Sequence, residues 1–186
     1  MSSNSLEANP WVTLSSTYVY ENPWLRVRHD TVLRPDKSPG TYTVVEACKV
    51  ATGVIALTED QRMYLVGQYR YPTKNYSWEI IEGGAEPGED PEHAARRELK
   101  EEAGLAAAHW EQLGPEVHLS NCISDERAVF YVARGLTEVG SSPEVTEVLQ
   151  RRCLPLSEVF AMVDSGVVTD AMTIIALARF RHMWGK

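Results

Sequence analysis

The chain has too few cysteines for a cross-linked scaffold, and none stands in the spacing that metal sites use. Cys48, Cys122 and Cys153 are the three present, an odd number without a CxxC pair. That excludes a disulfide framework and gives no sign of a zinc site. Long apolar runs are missing too, none approaching the roughly 18 residues of a membrane span. The first residues, Met1 to Asn9, are polar and lack the apolar core of a signal peptide. These absences point to a soluble protein of the reducing cytoplasm with no membrane partner. Basic residues are scarce as well: 18 Lys and Arg stand against 26 Asp and Glu, for a net charge of −8. No nucleic acid is then expected as the main partner, since a phosphate backbone favours a basic face. The same deficit opposes a phosphate-rich small molecule, unless the acidic groups hold cations that then meet the phosphates.

What is present suits one ordinary soluble domain: 186 residues, 44% apolar and 24% charged. There is no internal repeat and no low-complexity segment. Residues 1–15 read as a flexible tail and residues 16–186 as a single domain. Trp24–His29 and Tyr42–Cys48 have the branched and aromatic content of strands, with a turn over Pro35–Gly40 between them. Val54–Leu57 and Met63–Tyr69 suggest a second strand pair around the polar turn Thr58–Arg62. A further strand is expected at Ser77–Ile81, ahead of the glycine-rich stretch Gly83–Gly88. Asp90-Pro91 is a helix start, because Asp caps and Pro is tolerated at the first helical position. Gly104 marks that helix's end. Strands follow at His109–Leu113, Arg127–Ala133 and Leu149–Leu154, then helices over Leu156–Ser165 and Asp170–Met183. A mixed sheet with few helices is an α+β arrangement, or a sheet sandwiched between helices.

The helix after Pro91 carries the chemistry. Glu98, Glu101 and Glu102 sit at i, i+3 and i+4, so their carboxylates share one side and repel one another. Most glutamate-rich helices simply present a solvated face. Here Ala95, Leu99 and Ala103 form the apolar stripe, at roughly 100° per residue, and Glu98 and Glu102 fall within about 60° of its edge. Carboxylates bordering a core are costly unless paired or metal-bound. Clustered hard oxygens suit Mg²⁺ or Mn²⁺ better than zinc. Arg97 lies towards the other side, within reach of Glu89.

From Gly83 to Leu105 the sequence matches, at every defined position, the Nudix box G-x5-E-x7-R-E-U-x-E-E-x-G-U, with U aliphatic. The chain thus resembles the Nudix hydrolases. The resemblance implies a mixed β-sheet between α-helices, with a loop–helix–loop active site. It implies Glu98, Glu101 and Glu102 as ligands of two or more Mg²⁺ (or Mn²⁺) ions, with the carbonyl of Glu82 as the backbone ligand. Glu89 and Arg97 would orient loop and helix by ion pairing. The implied chemistry is hydrolysis of a pyrophosphate bond, in which divalent ions neutralise phosphate oxygens, activate water and stabilise the leaving phosphate.

Outside the box, the chain resembles the branch that acts on ADP-ribose and other nucleoside-diphosphate sugars. The signs are Gln68-Tyr-Arg70, Ser77-Trp-Glu79, Ser124-Asp-Glu126 before Val129-Phe-Tyr-Val, and Gly166-Val-Val-Thr-Asp170-Ala-Met-Thr173. By that resemblance Arg70 and Glu79 line the substrate cleft, and Tyr20 or Trp24 stacks on the base. Trp24 and Trp78 are otherwise the kind of residue found in cores and interfaces. Enzymes selective for ADP-ribose often carry a proline downstream of the box where Asn121 stands here, followed by Cys122, so GDP-mannose or a broader range is open. The extra catalytic glutamate of the family falls in Gly140–Glu147, with Glu147 favoured over Glu144 as base. A homodimer is implied, built through the aromatic-rich Tyr18–Val27 region. Rival readings are hydrolysis of dinucleoside polyphosphates, capped RNA or NTPs, which needs a more basic cleft, and a non-catalytic ligand-sensing module. Such modules typically lose box glutamates, and all are present here.

Overall fold

The computed structural model describes residues 8–140 and 148–184. Their contacts gather into two compact units, one reaching to Cys48 and taking in Ser120–Glu126, the other spanning Lys49–Leu119 and the chain from Arg127 onward.

The first unit is an antiparallel meander of β1 (Val12–Glu21), β2 (Leu25–Leu33) and β3 (Pro39–Ala47). β1 takes in the last four residues of the segment expected to be tail, because Val12 and Thr13 already pair with Leu33 and Val32. The β1–β2 turn is made by Asn22, whose side-chain oxygen accepts from the backbone N–H of Trp24 and of Leu25, both at 2.8 Å. The next turn is tighter than expected, since Pro39 and Gly40 already pair with Leu33 and Val32. Buried Asp30 and Glu46 are compensated by charge. Arg28 reaches both, Arg26 lies 3.1 Å from Glu46, and the Tyr18 hydroxyl donates to Glu46 at 3.0 Å. Ser120–Glu126 joins through backbone contacts: Val45 N–H donates to Ile123 O at 2.9 Å and the Tyr42 hydroxyl to Cys122 O at 2.6 Å. Asn121 and Cys122 therefore belong to this unit.

The second unit is built on a five-stranded mixed sheet. Its order is β7 (Ile81–Ala85), β4 (Val50–Ala56), β10 (Arg127–Glu138), β8 (Leu105–Gln112), with β9 (Val117–His118) also on β10. The β4–β10 pair is parallel and the others antiparallel. A central strand must be apolar on both faces. In β4 and β10 successive residues alternate between two cores. Ile55, Phe130 and Val132 join a cluster with Leu177 and Phe180 of α3 (Ala171–Trp184) and Val159 of α2 (Leu156–Asp164). Val54, Val129 and Tyr131 join a cluster with Ala95, Leu99 and Ala103 of α1 (Pro91–Ala103). The α+β sandwich expected from the sequence is thus observed, with α1 on one face and α2 and α3 on the other.

Two expected pairings are corrected. β4 and β5 (Arg62–Arg70) meet only through an isolated bridge, Leu57 to Met63. Instead of forming a hairpin ladder, β5 is the centre of a separate three-stranded sheet, β11 (Gln150–Pro155), β5, β6 (Asn75–Glu79). Likewise the strand expected at Ser77–Ile81 is two strands, β6 and β7, which change sheet at Ile80. That change of sheet matters for the site, because it brings Glu79 and Glu82 to a common arginine.

Leu99 is fully buried in the core under α1. Leu99→Ala should lower the unfolding free energy by about 2–5 kcal/mol, as removal of a buried leucine side chain generally does. Urea denaturation checks this, and a cost below about 1 kcal/mol would show that α1 is not anchored by this stripe.

Candidate active site

α1 begins where the sequence places it. Asp90 accepts from Glu92 N–H at 2.8 Å, Pro91 occupies the first turn, and Gly104 closes the helix in the left-handed region at φ 66°. The strand before it, β7, runs so close to α1 that a Cβ on Gly83 would fall inside the Glu98 carboxyl. Any larger residue there would have to displace the Glu98 carboxyl from its place beside Arg97.

The box glutamates differ in setting. Glu102 is 7% exposed, and its carboxylate accepts from Glu82 N–H at 3.1 Å. Glu98 and Glu101 flank the Arg97 guanidinium at 2.6 and 3.2 Å. Arg97 also donates to Gly84 O at 3.1 Å and reaches Glu89 at 3.4 Å. It therefore ties β7, the loop and α1 together, the orienting pair Glu89–Arg97 included. Burial alone would ease Arg97's proton off, but Glu98 first, then Glu89 and Glu101, hold its affinity above the ordinary value. Glu89 is pulled below the usual carboxylate range, chiefly by the Glu86 N–H and then by Arg97.

Across the cleft, Arg70 forms a two-pronged pair with Glu79, at 2.9 and 2.5 Å, and lies 3.9 Å from Glu82. Glu79 is 2% exposed, a buried carboxylate that only such a partner makes tolerable. Gln68, Arg70, Glu82, Gly83, Glu102 and Met172 line one cleft of about 260 Å³. Two residues not anticipated as site residues lie behind it and position Glu82. Thr173 accepts from Ile80 N–H at 3.0 Å and donates to the Glu82 carboxyl at 3.3 Å. Asp170 caps α3 by accepting from Thr173 N–H at 2.6 Å. Its position as a helix cap was the available signal.

Tyr20 and Trp24 belong to the first unit and are exposed, Trp24 at 69%. Trp78, by contrast, is a core residue with Arg152 stacked over its ring at 4.2 Å. Glu144 and Glu147 lie outside the described residues. Among the described residues no three His, Cys, Asp or Glu side chains converge tightly enough to hold an ion as they stand, with Glu98 and Glu101 turned to Arg97. The donors gathered around Gly83 are nonetheless all carboxylate and carbonyl oxygens, the chemistry that fits a hard divalent cation.

Comparison with known proteins identifies the family. Residues 48–172 match the model of the NUDIX domain, and residues 11–45 match that of the nucleoside diphosphate sugar hydrolase N-terminal domain. The chain belongs to the Nudix family, whose members generally use divalent metal ions. It is 34% identical over 129 residues to a Mycobacterium tuberculosis protein named ADP-ribose pyrophosphatase, covering 69% of this chain and 61% of that one. It is 29% identical over 167 residues to the methanol dehydrogenase activator of Bacillus methanolicus, covering 89% of each. A crystal structure of an ADP compounds hydrolase superposes with a TM-score of 0.83 at 21% identity, covering 93% of both chains, a likeness of fold. No helix among the described residues is long and apolar enough to cross a membrane.

Burial, reinforced by Asp170 and Glu79 against the pull of Arg70, pushes the Glu82 carboxyl well above its ordinary value of 4.5. A carboxyl that holds its proton more tightly when folded stabilises the fold fully below that unfolded value and loses the contribution as pH rises. With chelator present, Glu82→Gln keeps the backbone carbonyl and a neutral side chain. Its melting temperature should match wild type near about pH 4 and exceed it at about pH 8. Parallel melting curves across that range would contradict a buried, proton-holding Glu82.

Proposed function

We propose that this protein hydrolyses the pyrophosphate bond of nucleoside-diphosphate sugars, releasing a nucleoside monophosphate and a sugar phosphate. The observation that carries the reading is the single cleft shared by Arg70, Glu82 and the box residue Glu102. A cation there faces Glu102, a box carboxylate suited to a metal ion, which is the pairing a diphosphate needs. The N-terminal match to nucleoside diphosphate sugar hydrolases and the relatives named for ADP-ribose support the substrate class. ADP-ribose and GDP-mannose are the first candidates.

Two or more Mg²⁺ or Mn²⁺ ions would be held by Glu98, Glu101, Glu102 and the carbonyl of Glu82, and would neutralise the diphosphate and activate water. Arg97 and Glu89 keep loop and helix in register. Arg70, steadied by Glu79, meets the diphosphate. Glu147, or else Glu144, serves as base. The exposed rings of Tyr20 and Trp24 offer the base a stacking face, which discriminates weakly among bases. The protein acts as a homodimer, in keeping with the exposed Trp11, Leu14, Tyr18, Val19 and Tyr20 on and beside β1. Its three free thiols suit a reducing cytoplasm.

Activity should vanish in EDTA and return with Mg²⁺ or Mn²⁺, and full turnover in excess chelator would exclude a metal-dependent reaction. Comparing kcat/KM for ADP-ribose, GDP-mannose, NADH, dinucleoside polyphosphates and NTPs tests the substrate class. A sugar nucleotide should lead. If an NTP or dinucleoside polyphosphate won by tenfold, about 1.4 kcal/mol of transition-state binding, the class would be wrong. Light scattering at micromolar concentration should give twice the chain's 20.8 kDa, and a fully active monomer would refute the dimer.

A further inference from the structure

We infer that Thr52 is a positioning residue for Glu98, its buried hydroxyl holding the carboxylate when Glu98 turns from Arg97 to an ion. The assignment rests on the metal-dependent hydrolase reading above. Every second residue of β4 faces α1, and on that face Val50, Val54 and Ala56 belong to or pack against the core beneath the helix. Thr52 interrupts this apolar row. It is fully buried, and among the described residues its hydroxyl has no hydrogen-bond partner. A buried hydroxyl left unpaired is costly, and valine has the same shape without that cost.

The surroundings leave this hydroxyl one polar neighbour to turn to. On one side Thr52 pairs with Val129 of β10, and α1 covers the face with Ala95 and Leu99. On the other side it pairs with Gly83 of β7. Directly opposed residues point the same way, with Cβ atoms about 4.5–5.5 Å apart. Gly83 has no Cβ, and the place one would take is filled by the Glu98 carboxyl. The missing side chain at position 83 thus admits Glu98 to the site beside Thr52. In this structure the Glu98 carboxylate lies 2.6 Å from the Arg97 guanidinium. To serve an ion it gives up part of that pairing, and a fixed donor is then needed to aim it. A carboxylate has acceptor capacity on both oxygens, so it can take the Thr52 proton on one and keep the other for a cation. Ligating carboxylates are ordinarily held by such hydrogen bonds.

The test reads two quantities in wild type, Thr52→Val and Thr52→Ser: the melting temperature in chelator and the affinity for Mn²⁺ by electron paramagnetic resonance. In chelator Thr52→Val should melt at or above the wild-type temperature, because it loses an unpaired hydroxyl and no hydrogen bond. The same variant should bind Mn²⁺ about tenfold more weakly, the lower end of the loss that follows removal of a group orienting a metal ligand. Thr52→Ser keeps the hydroxyl and should bind Mn²⁺ as wild type does. A merely structural threonine would not stabilise the metal-free chain when removed and weaken the metal-bound one. Wild-type Mn²⁺ affinity in Thr52→Val overturns the assignment while leaving the metal-dependent reading standing. So does a Thr52→Val that melts lower in chelator, or a Thr52→Ser as weak in Mn²⁺ binding as the valine variant. A wild-type protein that binds no Mn²⁺ removes the metal-dependent reading, and the role of Thr52 with it.

Discussion

Three carboxylates crowd one side of α1, and what surrounds them serves to keep them there. Glu101 and Glu102 sit in the helix's last turn, where the macrodipole disfavours negative charge by about 0.3–1 kcal/mol each. Their mutual repulsion adds a few tenths of a kcal/mol per pair, and the burial of Glu102 adds a desolvation cost. Arg97 opposes this by lying against Glu98 and Glu101 and gripping Glu89 and the Gly84 carbonyl. Glu82 N–H answers Glu102. Below them the Ala95–Leu99–Ala103 stripe locks the helix to the sheet. An arrangement that spends stability to concentrate negative charge at the rim of a core is what a cation-binding site requires.

The features legible in the sequence were the local ones. The Asp90 cap, Pro91, the Gly104 terminator and the face shared by the glutamates all depend on residues within one helix. The Glu89–Arg97 pair was within reach for the same reason. Many strand positions were readable from alternation, β1 and β9 excepted, but strand partners were not. Val54–Leu57 and Met63–Tyr69 look like a hairpin because they are adjacent, yet β4 is claimed by β10 far along the chain, since both need two apolar faces covered. The role of Thr173 was hidden similarly. The Thr173 hydroxyl meets Ile80 N–H across a separation of 93 residues, and no periodicity reports such a contact. The attachment of Ser120–Glu126 to β3 is another long-range choice, made through backbone bonds together with the Tyr42 hydroxyl and the Asp125 carboxylate, which nothing local announces.

This division has a functional counterpart. The box fixes the reaction, whereas the groups that would choose a substrate come from β5, β6, β7 and the start of α3. Arg70 joins the two roles, because it borders the cleft with Glu82 and Glu102 and is steadied by a carboxylate buried in the core. Substrate choice can therefore vary in this fold without disturbing α1, and the box alone is silent on it.

Electron paramagnetic resonance of Mn²⁺ titrated into the protein tests most directly whether the α1 carboxylates hold metal. Wild type should bind Mn²⁺, and Glu102→Gln should weaken that binding at least tenfold, about 1.4 kcal/mol, while keeping the circular dichroism spectrum of a folded chain. Mn²⁺ affinity that is the same in both proteins would contradict the assignment of Glu102 as a metal ligand.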